Sequence, residues 1–263
     1  MAVKPTPLIT LTTDFGTRDP YVAAMKGMIY SIQRKLCVVD LSHEIPPQSI
    51  LDGALFLAGA VRHFPKGTIH VAVVDPGVGT ERHPIALLAG GQIIVCPDNG
   101  LATLFLSENR LEEARIITNP KFMAAKISPT FHGRDIFASA AAHLACGALF
   151  KEVGEELDTI LTLDIPGPQG DTVRGIRGKI MHVDRFGNCI TNIHQSTLKG
   201  ATPANIRVGR HRLHGIRRTY GDVASGKPVA LFGSAGYLEI AVNGGNAHAA
   251  LSVGKGDDVT LAF

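Results

Sequence analysis

The 263-residue chain has no tryptophan, only 6% aromatic residues and a net charge of only +3. Basic residues are concentrated only between Arg207 and Arg218, without interleaved aromatic side chains, so the sequence gives little support for nucleic-acid binding. No apolar run approaches the roughly 18 residues of a membrane span, and no apolar signal segment follows Met1. We therefore expect a cytoplasmic protein that binds neither nucleic acid nor membrane.

The chain also has few cysteines and lacks several common signatures of catalysis. The four cysteines lie far apart, at Cys37, Cys96, Cys146 and Cys189. At least the first three are in apolar runs typical of strand or helix cores, which predicts reduced, buried thiols. There is no Gly-x-x-x-x-Gly-Lys-Ser/Thr phosphate loop, no Gly-x-Gly-x-x-Gly after the first strand and no Gly-x-Ser-x-Gly nucleophile elbow.

The first half of the chain alternates strand and helix patterns, which predicts a largely parallel sheet covered by helices. The predicted strands cover 8–13, 36–41, 68–74, 85–89 and 92–96, and the predicted helices cover 21–34, 50–64, 101–106 and 134–150. Asp19 is the predicted N-cap of the first helix, and Ser49 that of the second. The fold class is therefore α/β.

A stretch rich in proline and glycine at 165–172 marks the predicted domain boundary. Beyond it, short strands at 178–184, 188–193, 228–233 and 237–242 occur with hardly any helix, which indicates a compact β-barrel or sandwich. We predict an N-terminal domain at 1–165, a linker at 166–175 and a C-terminal domain at 176–263.

Carboxylates follow the predicted strands where turn residues end them. The strand at 68–74 leads to Asp75, and Arg82 returns seven residues later. Taken alone, this loop is best interpreted as a capped turn with a surface ion pair. Two further segments of the same kind, around Asp14 and His132, favour a shared site.

The candidate residues for chemistry are polar residues at strand ends and turns, namely Asp14, Asp75, Arg82, His132, Arg134, Asp135, Asp184, Asn188, Ser234 and Glu239. Each also has a structural interpretation, as a turn cap, a helix-end charge or a satisfied histidine. A metal held by Asp14, Asp75 and His132 lacks the support of a His-x-His or Glu-x-x-His spacing. An arginine beside Asp75 would also compete with a cation.

Six motifs occur in order: Thr-Thr-Asp-Phe-Gly at 12–16, Val-Asp-Pro-Gly-Val-Gly-Thr-Glu-Arg at 74–82, Pro-Asp-Asn-Gly at 97–100, Thr-Phe-His-Gly-Arg-Asp at 130–135, Asp-Arg-Phe-Gly-Asn at 184–188 and Gly-Tyr-Leu-Glu at 236–239. Together they resemble the S-adenosylmethionine hydroxide adenosyltransferase family, which is related to the fluorinases and chlorinases. The resemblance implies an N-terminal α/β domain, a smaller C-terminal β-barrel domain and a homotrimer with ligand bound between subunits. It implies metal-independent hydrolysis of S-adenosylmethionine, a substrate rather than a cofactor, to adenosine and L-methionine.

The resemblance assigns the handling of water to Asp75, Arg82 and His132. A sulfonium leaving group needs no acid, so the enzyme has to supply a nucleophile. We expect Arg82 to keep Asp75 ionised, so that Asp75 orients the water and His132 relays its proton. Asp14 is expected to accept hydrogen bonds from both ribose hydroxyls.

The other substrate contacts that the resemblance implies are Phe131, Gly133, Asp184, Phe186, Asn188, Ser234, Glu239 and Val242. The halogenating relatives carry tyrosine in place of Asp75, and the fluorinase carries a halide-binding serine in place of Gly133. The loss of that serine and the gain of Asp75 and His132 favour hydroxide over halide. Two other functions stay open, an adenosine-binding or S-adenosylmethionine-binding sensor without turnover and a metal-dependent hydrolase.

Overall fold

The computed structural model describes residues 8–263 and divides the chain into two compact units between residues 163 and 164. Apart from short 3-10 turns, unit 1 consists over its described residues of β1 (Leu8–Thr13), α1 (Tyr21–Ile32), β2 (Cys37–Ser42), α2 (Ile50–Val61), β3 (Ile69–Val73), β4 (Pro84–Ala89), β5 (Gln92–Pro97), α3 (Thr103–Glu108), β6 (Leu111–Ile116), a π-helix (Gly133–Ala138) and α4 (Ser139–Ala145).

The sheet of unit 1 has the strand order β2-β1-β3-β5-β4-β6. The pairs β1–β2, β1–β3 and β3–β5 are parallel, whereas β4 pairs antiparallel with β5 and β6. The predicted largely parallel sheet is thus confirmed. The sequence pattern did not predict β6, which closes one edge.

Successive residues of β3 pack on opposite faces of the sheet, as the two-residue period of a strand requires. Val71 and Val73 pack in the core that includes Met25 of α1, together with residues of α4. Ala72 and Val74 pack in the core that includes Leu57 of α2, together with Phe105 of α3. The continuous apolar run of β3 is therefore buried on both faces and ends at a fixed edge.

Three local predictions in unit 1 were wrong. Pro20, not Asp19, is the N-cap of α1. The predicted helix at 134–150 is a π-helix followed by α4, which ends at Ala145 because Gly147 turns into the left-handed region with φ +94°. Cys37 and Cys146 are exposed, since one begins β2 at the edge of the sheet and the other caps α4.

Unit 2 consists of β7 (Gln169–Asp171), β8 (Gly175–Val183), β9 (Cys189–His194), β10 (Asn205–Val208), β11 (His211–His214), β12 (Pro228–Phe232), β13 (Tyr237–Val242), α5 (Ala247–Leu251) and β14 (Asp258–Ala262), apart from short 3-10 turns. Its antiparallel sheet has the order β11-β10-β14-β8-β9-β13-β12, with β7 on β8. The backbone N–H of Arg217, after β11, donates to the carbonyl oxygen of Ala230 on β12 at 2.8 Å. This contact nearly closes the sheet into the predicted barrel.

The barrel interior is filled by one apolar face of every strand except the exposed β7. Ile180, Ile206, Ile240 and Val259 are almost completely buried in this core. No helix among residues 8–263 is long and apolar enough to span a membrane.

Candidate active site

Asp14 and Asp75 reach the same edge of the unit 1 sheet because β1 and β3 are parallel neighbours. Thr13 is paired with Val73 at the ends of these strands. The side-chain amide of Asn99 donates to the carbonyl oxygen of Val74 at 2.9 Å and fixes the chain just before Asp75. The carboxyl ends of parallel strands are where open α/β sheets form their ligand crevices.

The loop from Asp75 to Arg82 is a tight turn that requires glycine at position 79. The N–H of Val78 donates to the carbonyl oxygen of Asp75 at 3.2 Å. Gly79 has φ +77°, and a Cβ at this position would lie 2.4 Å from the carbonyl oxygen of Pro129. The loop therefore packs directly against the segment that precedes His132.

Asp75 and Arg82 form a buried, bidentate ion pair, not the surface pair that the loop alone suggested. Arg82 Nε lies 2.9 and 3.0 Å from the two Asp75 carboxylate oxygens, and Arg82 Nη2 lies 2.5 Å from Oδ2. The side chains are only 4% (Asp75) and 8% (Arg82) exposed. Such a fork holds the carboxylate in one orientation.

The same guanidinium also binds His132. Arg82 Nη2 lies 2.9 Å from His132 Nδ1. Because a guanidinium has only donors, Nδ1 must accept, and the neutral imidazole then carries its proton on Nε2. Burial lowers the pKa of His132 and the charge of Arg82 lowers it further, against the opposing charges of Asp75 and Asp135. His132 is therefore neutral at neutral pH, with Nε2 as a donor.

A π-helical turn brings two contacts of Arg82 onto one helix face. His132 is the N-cap of the π-helix, and the Arg82 guanidinium carbon lies 5.3 Å from the ring centroid of Phe137. Residues five apart on an α-helix point about 140° away from each other. The wider π turn, closed by bonds to the fifth residue, reduces that angle. His132 and Phe137 can therefore both face Arg82.

Arg134 and Asp135 have a structural role beside His132. Arg134 Nε donates to Asp135 Oδ1 at 2.6 Å, and the backbone N–H of Ser128 donates to Asp135 Oδ2 at 2.8 Å. Burial acts to raise the pKa of Asp135, but these two hydrogen bonds and the nearby positive charge, chiefly that of Arg134, together outweigh it and lower the pKa. The Arg134 guanidinium carbon lies 4.9 Å from the centroid of the Phe131 ring. This pair anchors the segment that leads into His132.

The predicted contacts Phe131 and Gly133 lie in an aromatic cluster next to Asp14. The Phe131 ring is 6.0 Å from Phe15 and 5.3 Å from Tyr21, both edge-on. A Cβ on Gly133 would lie 3.3 Å from the Phe15 ring. Glycine at this position therefore lets Phe15, the neighbour of Asp14, approach the turn that carries His132.

In unit 2, Asp184 closes the turn between β8 and β9. One carboxylate oxygen accepts the N–H groups of Phe186 and Asn188 at 2.9 and 2.8 Å, and the other accepts the Asn188 side-chain amide at 2.9 Å. The turn holds Phe186 outward, with 75% of its surface exposed. Asp184, Phe186 and Asn188 are thus one rigid group.

Glu239 forms a second polar group in unit 2 with Tyr220. The Tyr220 hydroxyl donates to Glu239 Oε2 at 2.9 Å. Burial raises the pKa of Glu239, the hydrogen bond from Tyr220 opposes this, and the charge of Asp184 adds to the rise. Ser234 is exposed in the turn between β12 and β13, whereas the Val242 side chain is packed in the barrel core.

Sequence reasoning missed several residues that shape these groups. They are Asn99, Phe137 and Tyr220, together with His43 and Gln48, which form hydrogen bonds to Thr13 and Asp14. Asn99 belongs to the Pro-Asp-Asn-Gly motif at 97–100, but nothing in that motif indicates that the Asn99 amide binds the backbone at the end of β3. Over residues 8–263, no group of three or more His, Cys, Asp or Glu side chains is arranged to hold a metal ion.

Two regions of the chain match known sequence families. The profile of the SAM hydroxide adenosyltransferase N-terminal domain matches residues 9–154, and that of the SAM hydroxide adenosyltransferase C-terminal domain matches residues 178–260. These matches cover most of both units.

Relatives and a solved structure match over nearly the whole chain. The (R)-S-adenosyl-L-methionine hydrolases of Salinispora tropica and Thermus thermophilus are both 40% identical, covering 97% and 95% of this chain and 97% of each relative. A fluorinase of Actinoplanes sp. is 31% identical, covering 92% of this chain and 93% of that protein. The crystal structure of an uncharacterized conserved protein from Thermotoga maritima matches with a TM-score of 0.91 at 35% identity, covering 97% of this chain and 100% of that chain. The chain therefore belongs to the S-adenosylmethionine hydroxide adenosyltransferase family.

Proposed function

We propose that this protein hydrolyses S-adenosyl-L-methionine to adenosine and L-methionine by in-line attack of water or hydroxide on ribose C5′. The observation that carries the proposal is the buried Arg82 fork, which joins the Asp75 carboxylate to His132 Nδ1. The hydrolases that match over nearly the whole chain support the same reaction.

The reaction needs a nucleophile but no acid. Hydroxide forms a bond to C5′ while the C5′–S bond breaks. The electron pair of the C5′–S bond stays on sulfur and gives the thioether of methionine. The hydroxide keeps its hydrogen, which becomes that of the 5′-hydroxyl. The proton released when water becomes hydroxide leaves to solvent. Positioning alone is worth up to about 7–11 kcal/mol in such a step.

The tautomer of His132 favours a donor role over the proton relay that the sequence suggested. Its Nε2 already carries a proton and its Nδ1 accepts from Arg82, so neither nitrogen is available as a base. His132 therefore donates through Nε2 to the nucleophile. Arg82 Nη1, buried and without a hydrogen-bond partner among residues 8–263, is a second donor. Such preorganised donors stabilise an anionic oxygen.

Asp75 orients the nucleophile in this proposal. Its two oxygens accept three contacts from Arg82, and a carboxylate has about four acceptor sites. The remaining site accepts the hydrogen of the hydroxide and points its lone pair at C5′. Asp75 thus sets direction without taking a proton.

In this proposal, the residues that the family resemblance names hold the substrate. Asp14 binds the ribose hydroxyls, and Phe131 and Gly133 form an apolar wall. The adenine and methionine ends are bound by residues of unit 2, namely Asp184, Phe186, Asn188, Ser234, Glu239 and Val242. We infer a homotrimer with each site between neighbouring subunits, which light scattering would detect as three chains per particle.

The reaction needs no metal or other cofactor, and the protein acts in the cytoplasm. The absence of a required acid at the leaving group supports the first statement, because a sulfonium departs as a neutral thioether. The four cysteines are all free, which fits a reducing compartment.

The test is incubation of the purified protein with S-adenosylmethionine, with and without a chelator, followed by chromatography for adenosine and methionine. We expect both products in equal amounts with and without chelator. Asp75→Ala is expected to abolish turnover, and Asp171→Ala, at the exposed end of β7, to leave it unchanged. Adenosine binding without turnover would indicate the sensor, and loss of turnover with chelator would indicate the metal-dependent hydrolase.

A further inference from the structure

The loop that carries Asp14 is anchored to one buried histidine on both sides of the carboxylate. Thr13 Oγ1 lies 2.8 Å from His43 Nδ1, and the N–H of Gly16 donates to the carbonyl oxygen of His43 at 2.7 Å. His43 is only 4% exposed. His43 therefore supports the loop by hydrogen bonds from inside the protein and does not itself contact a ligand.

The Thr13 hydroxyl links this histidine to the residue after Asp14. The backbone N–H of Phe15 donates to Thr13 Oγ1 at 3.2 Å. The hydroxyl can accept from Phe15 and donate to His43 at the same time. Both neighbours of Asp14 are thus fixed by one hydroxyl that His43 orients.

The ion pair of Lys26 and Asp40 lies on the opposite side of the His43 ring from the Thr13 hydroxyl. His43 Nε2 lies 3.1 Å from Asp40 Oδ1 without the geometry of a hydrogen bond, and Lys26 Nζ donates to Asp40 Oδ2 at 2.6 Å. A carboxylate beside Nε2 keeps the ring proton there and leaves Nδ1 as an acceptor for the Thr13 hydroxyl. The chain of contacts runs from Lys26 at the surface to the loop of Asp14.

The Asp14 carboxylate is bound by the same segment of the chain. The backbone N–H of Gln48, five residues after His43, donates to Asp14 Oδ2 at 2.8 Å. Gln48 has φ +63°, a left-handed conformation that is uncommon for residues other than glycine. Residues 40–48 thus fix both the backbone and one oxygen of Asp14.

We propose that His43 is a positioning residue that aims the Asp14 carboxylate at the two ribose hydroxyls. The proposal rests on the proposed function, which gives Asp14 the ribose as its ligand. Loss of His43 therefore weakens the hydrogen bonds to the ribose hydroxyls more than it weakens binding of the rest of the nucleoside.

The chain offers a matched control for this test. His70 makes the same kind of buried bond on the same strand, with Thr10 Oγ1 at 2.7 Å from its Nδ1. His70 is on β3 and is paired with Thr10, which lies in the middle of β1. This pair is away from the end of β1 that leads to Asp14. His43→Phe and His70→Phe each remove one buried His–Thr bond, but only His43→Phe removes the support of Asp14.

The experiment measures the dissociation constants of adenosine and 2′-deoxyadenosine by calorimetry for the full-length protein and both variants. A hydrogen bond to a charged group gives the wild type a preference for adenosine of about tenfold to 100-fold. We expect His43→Phe to reduce this preference to about threefold or less and His70→Phe to keep it. Thr13→Val, which removes the hydroxyl with little change of shape, is expected to act like His43→Phe, and His43→Asn, whose amide can still accept from Thr13, to restore part of the preference.

Retention of the full preference by folded His43→Phe or Thr13→Val would overturn the proposal, as would an equal loss in His70→Phe. Failure of the proposed function gives a different result. In that case the wild type itself shows no turnover of S-adenosylmethionine and no preference between the two nucleosides.

Discussion

Replacing His132 with glutamine or with alanine separates a donor role from a proton relay. A glutamine amide carries both an acceptor, which can take the Arg82 bond now made to Nδ1, and a donor in place of Nε2–H. It has no basic nitrogen. If His132 acts only as a donor, His132→Gln therefore keeps the essential interactions, and His132→Ala loses both.

The expected magnitudes follow from the loss of one preorganised donor to a charged oxygen. Such a loss typically lowers kcat about 100-fold to 1,000-fold, or about 3–4 kcal/mol. We expect this loss in His132→Ala and a loss within about tenfold in His132→Gln, because its donor remains. The assay is kcat by release of adenosine under saturating S-adenosylmethionine, with circular dichroism to confirm folding.

The pH dependence of activity also tests the donor role of His132. Burial and Arg82 lower the pKa of His132 below its usual value, so the neutral donor form predominates at pH 7. Activity falls as the pH falls through this lowered pKa, because protonation places a second N–H against Arg82. The contribution of His132 to this acid limb disappears in His132→Gln, which does not titrate. A His132→Gln protein as inactive as His132→Ala would refute the donor role.

Three further predictions concern stability and are measured by urea unfolding. Arg82→Met leaves the Asp75 carboxylate buried and unpaired, so we expect a loss of about 3–5 kcal/mol, part of which Asp75→Asn restores in the double variant. Gly79→Ala places a Cβ 2.4 Å from a carbonyl oxygen, so it should cost about 1–3 kcal/mol more than Gly67→Ala, which has similar φ and no neighbour within 4 Å. Burial lowers the pKa of His70 to about 4, so the folded protein keeps this histidine neutral. As the pH falls from 6.5 to about 4, the free energy of unfolding is therefore expected to decrease by about 3 kcal/mol in total. His70→Phe removes this pH dependence.

The α/β part of the fold could be predicted because its strands are continuous apolar runs ended by turn residues. The run ending at Val74 matches a strand buried on both faces, and the structure ends β3 at Val73, one residue before the predicted end. Cys37 shows the limit of this reasoning. It opens an apolar run, but its burial depends on which strand lies at the edge of the sheet, and local sequence does not specify that.

The main residues of the candidate site could be identified from motifs, but their hydrogen bonding could not. The segment 130–135 gave no sign of a π-helix, since the π turn is favoured by the contact of Phe137 with Arg82, fifty-five positions earlier in the chain. The role of His132 changed for the same reason. Its tautomer depends on Arg82, which reaches it only in the folded state.

Attack of water on ribose C5′ can be tested by hydrolysis in water enriched in oxygen-18. Mass spectrometry of the products from a single turnover locates the label. We expect one oxygen-18 atom in the 5′-hydroxyl of adenosine and none in methionine. Unlabelled adenosine, or release of free adenine in place of adenosine, would contradict it.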